Sequence, residues 1–181
     1  MKVFVTGGAG YIGSHITLEL LEAGHDVTVY DDLSLGFKEN VDSRAQFIEG
    51  STLDKNCLKK SLVNKFDAVV HMAAFKAAGE SMTDPGKYSQ NNLNGTINLL
   101  NAMTELGVKD LIYSSTAAVY GHPNYIPVDE DHNLKPINFY GYTKLVIEQI
   151  MQWYADLTGY VMWRYDISML LVMISPAELG V

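Results

Sequence analysis

The chain carries one cysteine, Cys57, in 181 residues. That excludes an internal disulfide and fits a reducing compartment. With no histidine or metal-type spacing around it, Cys57 reads as a buried thiol. Basic residues are also scarce. The 13 Lys and Arg stand against 21 Asp and Glu, for a formal charge of -8, and so few cations argue against a nucleic-acid surface, which needs clustered Lys and Arg to neutralise phosphates. A small anion held by backbone N–H groups is still allowed. The apolar run at 167–174 is far too short to span a membrane. The opening MKVFVTGG is too short and too glycine-bound for a signal peptide, so the expected location is the cytoplasm. His15, His25, His71, His122 and His132 show no ligand spacing, and no metal site is expected.

What is present is a regular alternation. Short β-branched runs (KVFVTG, DVTVYDD, AQFIEG, DAVVHMAA, DLIYSS, VMWRY) alternate with helical patterns at 14–23, 55–64, 91–106 and 141–158. That order is βαβ repetition. Runs such as Val3 to Val5 and Ala68 to Val70 are apolar without alternation, as parallel strands covered on both faces should be. The expected architecture is one α/β domain, a doubly wound open sheet. With 48% hydrophobic and 19% charged residues, the composition is that of a globular chain with a full core.

Two motifs carry chemistry. TGGAGYIG sets Gly7, Gly10 and Gly13 in a GxxGxxG spacing after the first strand. Such glycines allow a tight turn, close backbone approach to a pyrophosphate, and tight helix–strand packing. The following helix N-terminus favours the phosphate charge. The second strand ends in Asp31-Asp32, eighteen residues after Gly13. A carboxylate there can accept both ribose hydroxyls and repels a 2′-phosphate, so NAD is favoured over NADP. The second motif is YGYTK, with Tyr140 and Lys144 four apart on one helix face. An ammonium there can lower a phenol's pKa from about 10 towards neutrality and make it a general base. Tyr142, two residues from Lys144, faces elsewhere. The hydroxyls of Ser114, Ser115 and Thr116 end the preceding strand, at the carboxyl edge where such sheets bind ligands.

In VTGGAGYIGSH, VYDDLS, HMAAFKAAGES, NNLNGTINLL, YSSTAAVYG, YGYTKLVIEQI and RY the chain closely resembles the extended short-chain dehydrogenase/reductase family, and within it the UDP-glucose 4-epimerases. The resemblance runs from residue 1 to about 165. It implies a Rossmann-like doubly wound parallel sheet, bound NAD and a UDP-sugar substrate, with UDP-glucose and UDP-galactose interconverted by transient oxidation at C4; the alternatives are a truncated, catalytically incompetent NAD-binding fragment of such an epimerase, or a different UDP-sugar 4-epimerase. It implies that Tyr140 deprotonates the 4-hydroxyl, that Lys144 binds the nicotinamide ribose, that Thr116 shares a hydrogen bond with the same hydroxyl, and that Ser114 lies near the nicotinamide. Lys76 and Asn92 would lie beside the cofactor, with Tyr11, Ile12, Ala73, Ala74 and Tyr165 also in its site. Ser51 replaces the family's aspartate at the adenine, a weaker neutral acceptor. Related dehydratases carry an acidic pair after the threonine. Ala117-Ala118 stand here instead, which speaks against dehydration because no acid is there to protonate a leaving hydroxyl. The family also often pairs as homodimers through the helices at 91–106 and 141–158.

After Tyr165 the pattern breaks. The family continues Phe-Asn-Val-Ala-Gly, whereas this chain reads DISMLLVMIS before PAELGV resumes the resemblance. The expectation is an NAD-binding domain at 1–165 carrying the Tyr, Lys and Thr, then an aberrant or truncated start of the sugar-nucleotide-binding part at 166–181, with the C-terminal sugar-binding domain missing. Codons for Ile-Ser-Met-Leu-Leu-Val-Met read in a shifted frame can spell the family's turn, so a frame disturbance is one origin of the segment. An altered sixth strand is the other.

Overall fold

The computed structural model describes residues 1–159 and the strand Val161–Tyr165, of which only the backbone is described. Expectations for residues 166–181 and for the Tyr165 side chain lie outside the described residues.

Six parallel strands form one sheet: β1 (Lys2–Thr6), β2 (Asp26–Asp31), β3 (Gln46–Glu49), β4 (Ala68–His71), β5 (Asp110–Ser114) and β6 (Val161–Tyr165). Their spatial order is β3-β2-β1-β4-β5-β6. The order reverses between β1 and β4, where Val5 pairs with Val70 and Thr6 with His71. This switch point opens a crevice at the carboxyl ends of the two strands.

The helices are α1 (Tyr11–Glu22), α2 (Lys55–Leu62), α3 (Ala78–Ser81), α4 (Pro85–Tyr88), α5 (Gly95–Leu106) and α6 (Phe139–Thr158). Both sheet faces are covered, which explains the unbroken apolar runs. Val3, Val5, Val27, Val29 and Val70 pack with Ile16 and Leu20 of α1 on one side. Phe4, Val69, Leu111 and Tyr113 pack with side chains of α2, α5 and α6 on the other. Successive strand residues point to opposite faces, so alternate residues of β1 fill different cores.

The expected helix at 91–106 is helical but not uniformly wound. Residues Ser89–Asn94 form a π-helical turn that leads into α5. The wider turn lets Asn92, fully buried, reach back to the Phe75 backbone, accepting from its N–H at 2.9 Å and donating to its C=O at 3.0 Å. Cys57 is half-buried, not fully buried, and packs at the margin of the core. Among the described residues, no helix is long and apolar enough to cross a membrane.

Candidate active site

A single cavity of about 500 Å³ runs along the crevice, lined at one end by Gly7, Gly10 and Asp31 and at the other by Ser114, Thr116, Tyr140 and Lys144. The two sequence motifs, more than a hundred residues apart, therefore share one space.

The glycine turn is shaped by contacts that admit no side chain. Gly7 has φ +73°, and a Cβ there would sit 2.5 Å from the Ala73 backbone nitrogen across the switch point. A Cβ on Gly13 would lie 2.1 Å from the Gly7 carbonyl oxygen. α1 begins with Gly10 as its N-cap and no side-chain cap, which leaves first-turn N–H groups open to a ligand, and Tyr11, Ile12 and Gly13 line the cavity.

The Asp31-Asp32 pair divides its labour. Asp31 is buried and accepts from the backbone N–H groups of Ala9 at 3.0 Å and Leu33 at 2.9 Å, fixing the glycine turn to the loop after β2. Asp32 is exposed and accepts from Ser34 N–H at 3.0 Å. Both line the cavity, and each carboxylate keeps further lone pairs for a hydroxyl donor.

At the other end, Lys144 is buried. Its ammonium donates to the Ser114 carbonyl at 2.7 Å and lies 4.6 Å from the Tyr113 ring centre and 5.9 Å from that of Tyr140. Burial pushes Lys144 down to about 7, against an opposing pull from Glu148. The start of α6 is pinned by its neighbours. Asn138 caps Gly141 N–H at 2.7 Å, and the buried Ser81 hydroxyl accepts from Tyr140 N–H at 2.9 Å. Tyr142 is 50% exposed and stacks on Phe139, so the rival phenol points away from the crevice. Thr116 accepts from Ala118 N–H at 3.2 Å, which leaves its O–H proton to donate into the cavity. Ala117-Ala118 follow it in a short helical turn.

His71, at the end of β4, sits behind this wall. Its Nε2 is 2.8 Å from Thr96 Oγ1 and its Nδ1 2.6 Å from Thr6 Oγ1. The Thr96 hydroxyl donates to the Asn92 carbonyl, so it accepts from Nε2–H, and Nδ1 accepts from Thr6. Burial, and then the nearby Lys144 charge, push His71 down to about 3, so the ring is neutral. Both ring nitrogens of this histidine are thus satisfied inside the fold.

Most residues singled out from the sequence line the cavity: Gly7, Gly10, Tyr11, Ile12, Gly13, Asp31, Asp32, Ala73, Ala74, Lys76, Ser114, Thr116, Tyr140 and Lys144 do so. Two do not. Asn92 is turned inward by the π turn, and Asn91 takes the lining position. Asn92 is instead a brace, since its amide also donates to Thr143 Oγ1 at 3.3 Å, whose hydroxyl donates to the Tyr140 carbonyl. The Ser51 side chain turns into its own loop, where Oγ accepts from Leu53 N–H at 3.4 Å and the Ser51 carbonyl accepts from Tyr30 O–H at 2.9 Å. Gly50 and Thr52 line the cavity on either side of it. The lining also includes residues not singled out from the sequence, among them Leu35, Gly36 and Phe75. The only signal for Gly36 was its loop position; a Cβ there would lie 2.8 Å from the Ala9 backbone. Among the described residues, no group of three or more His, Cys, Asp or Glu is placed to hold a metal ion.

The family model described as "NAD dependent epimerase/dehydratase family" matches residues 3–176. The chain is 48% identical over 168 residues to a UDP-glucose 4-epimerase of Lactobacillus helveticus, covering 91% of this chain and 51% of that relative. Among solved structures, a UDP-glucose 4-epimerase from Brucella ovis in complex with NAD is 41% identical with a TM-score of 0.86, covering 91% of this chain and 51% of that one. A Thermotoga maritima UDP-glucose 4-epimerase with UDP-glucose is 33% identical with a TM-score of 0.88, covering 92% and 55%. The chain thus spans about half the length of the relatives it matches.

Proposed function

The chain belongs to the NAD dependent epimerase/dehydratase family, and from that premise we propose that it is the cofactor-holding half of an NAD-dependent UDP-glucose 4-epimerase, an isomerase acting on UDP-glucose and UDP-galactose. The observation that carries this reading is the one cavity joining the glycine turn and Asp31 to Thr116, Tyr140 and Lys144.

The residues present fit NAD. The cradle that a Cβ on Gly7 or Gly13 would fill gives a pyrophosphate room to approach backbone N–H groups. Asp31 and Asp32 hold the ribose hydroxyls and oppose a 2′-phosphate. Lys144, beneath Ser114, holds the second ribose. When bound, NAD supplies a reversible hydride acceptor for the sugar C4. The protein's own part is proton transfer and positioning. Tyr140 takes the proton of the 4-hydroxyl as C4 is oxidised and returns it after the keto sugar has turned its other face. Thr116 donates to the same oxygen and fixes its distance, while the ammonium of Lys144 favours the phenolate. The alanines after Thr116 leave no carboxyl to expel a neighbouring hydroxyl, which favours epimerisation over dehydration.

The same reading includes the division into a cofactor domain at 1–165 and a start of the sugar-binding part at 166–181. It also includes a cytoplasmic location and pairing of two copies through α5 and α6, where Trp153 and Leu157 are 67% and 77% exposed. A second reading, favoured by the half-length match to relatives, is that these 181 residues retain NAD without turning over sugar. One experiment separates the two. NAD retention and UDP-galactose conversion are measured on the same preparation. Conversion that is lost in Tyr140→Phe supports the first reading. Retained NAD without conversion supports the second. Conversion that persists in Tyr140→Phe overturns the assignment of the base.

A further inference from the structure

Among the described residues, Lys144 sits in a cage with little negative charge. Its ammonium meets one backbone carbonyl, that of Ser114, and the ring faces of Tyr113 and Tyr140. The Tyr113 hydroxyl is buried and has no hydrogen-bond partner among the described residues, so that side chain contributes a π face and not an anion. His71 on β4 is neutral. Among the described residues, the titratable groups facing Lys144 are therefore Tyr140 and Glu148 on α6, Tyr113 on β5 and His71 on β4. Among the described residues, Glu148 is the carboxylate of this set. It is 7% exposed, one helical turn beyond Lys144 on the same face, and its Oε1 accepts a hydrogen bond from the buried Ser115 hydroxyl. A buried carboxylate off the cavity wall is costly unless it has a task, since it needs both a charge partner and hydrogen bonds.

We propose that Glu148 is a positioning residue: from behind the crevice wall it supplies the counter-charge that keeps Lys144 an ammonium, and through Ser115 it ties the end of β5 to α6. Two consecutive residues of β5 and the loop after it are then fastened to one helix, Ser114 by Lys144 and Ser115 by Glu148. This fixes the next residue, Thr116, relative to Tyr140. The direction of the interaction agrees with this, since Glu148 raises Lys144 against the effect of burial. The proposal rests on the reading of Lys144 given above, but its test needs neither cofactor nor sugar.

The Nζ resonance of Lys144 is followed against pH by NMR in the full chain labelled with [ζ-15N]lysine, and is assigned by its loss in Lys144→Arg. In the wild-type chain it should show the titration of Lys144 itself. Glu148→Gln should lower that midpoint by about one pH unit, and Glu148→Asp should restore part of the difference. A merely structural role would lower the melting temperature of Glu148→Gln while leaving the midpoint in place, and that result overturns the proposal. Where Glu148→Gln does not fold, Glu148→Asp decides: its withdrawn carboxylate should still lower the Lys144 midpoint, and a midpoint at the wild-type value overturns the assignment. A chain that converts no UDP-galactose leaves this readout unaffected, so the two readings fail separately.

Discussion

The two ends of the crevice are built from different materials. At the β1–β2 end the work is done by backbone. Gly7 and Gly13 tolerate contacts that no side chain permits, and the Asp31 carboxylate holds two main-chain N–H groups. At the β4–β5 end it is done by buried side chains, Lys144, His71, Glu148 and Tyr113, several of them titratable and shifted by desolvation. On the proposed function, the first end selects its ligand by backbone shape and by the fixed charge of Asp31 and Asp32. The second selects a protonation state. Substitutions at the first should therefore act on binding with little pH dependence, and those at the second on chemistry and on the pH profile.

The largest expected effect is at the side-chain end. On the proposed epimerase reading, Tyr140→Phe should reduce UDP-galactose conversion by about 1,000-fold while leaving NAD affinity within about threefold, read by a conversion assay and a fluorescence titration on the same sample. Next comes the backbone end. Gly7→Ala places a methyl group against the Ala73 backbone, and NAD affinity should fall ~100-fold, equivalent to about 2.7 kcal/mol, by the same amount at acid and alkaline pH. If the loss varied with pH, the division between the ends would be wrong. Asp31→Asn should weaken NAD about tenfold and narrow the preference over NADP, because a neutral amide no longer repels a 2′-phosphate.

Stability should show the same asymmetry. His71 titrates near 3 when folded and near 6.5 when unfolded, so below 6.5 the unfolded chain takes the proton first, and stability falls as the pH drops towards 3. Lys144 acts in the same direction between about 10.5 and 7. Urea denaturation between pH 6.5 and 5 should lose up to about 1.4 kcal/mol per pH unit from the His71 proton, and His71→Asn should flatten that slope. The smallest effect belongs to Ser51→Ala. Its side chain faces its own turn, so NAD affinity should change less than about threefold; a tenfold loss would place that hydroxyl at the ligand.

The regular part of this structure was legible because one physical cause dominated each element. All six strands were read from β-branched runs between turn residues, and the glycine spacing pointed to the crevice because only glycine survives at Gly7 and Gly13. Asn91 and Asn92 were not separable in the same way. Adjacent asparagines differ only in helical phase, and the π turn at 89–94 resets that phase. The direction of the Ser51 side chain was not legible for a related reason, since a loop carries no periodicity to say which way a side chain points. The brace from Phe75 through Asn92 and Thr143 to Tyr140 joins residues far apart in sequence, and so do Ser115 and Glu148. Such links are properties of the packed fold and leave no local pattern.

The most direct test of the account is NAD binding by the full 181-residue chain, by calorimetry, beside Gly7→Ala and Tyr140→Phe. The account predicts saturable one-to-one binding by the wild-type chain, retained in Tyr140→Phe and weakened about 100-fold in Gly7→Ala. A folded wild-type chain that binds no NAD, or one whose binding is indifferent to Gly7→Ala, would contradict it.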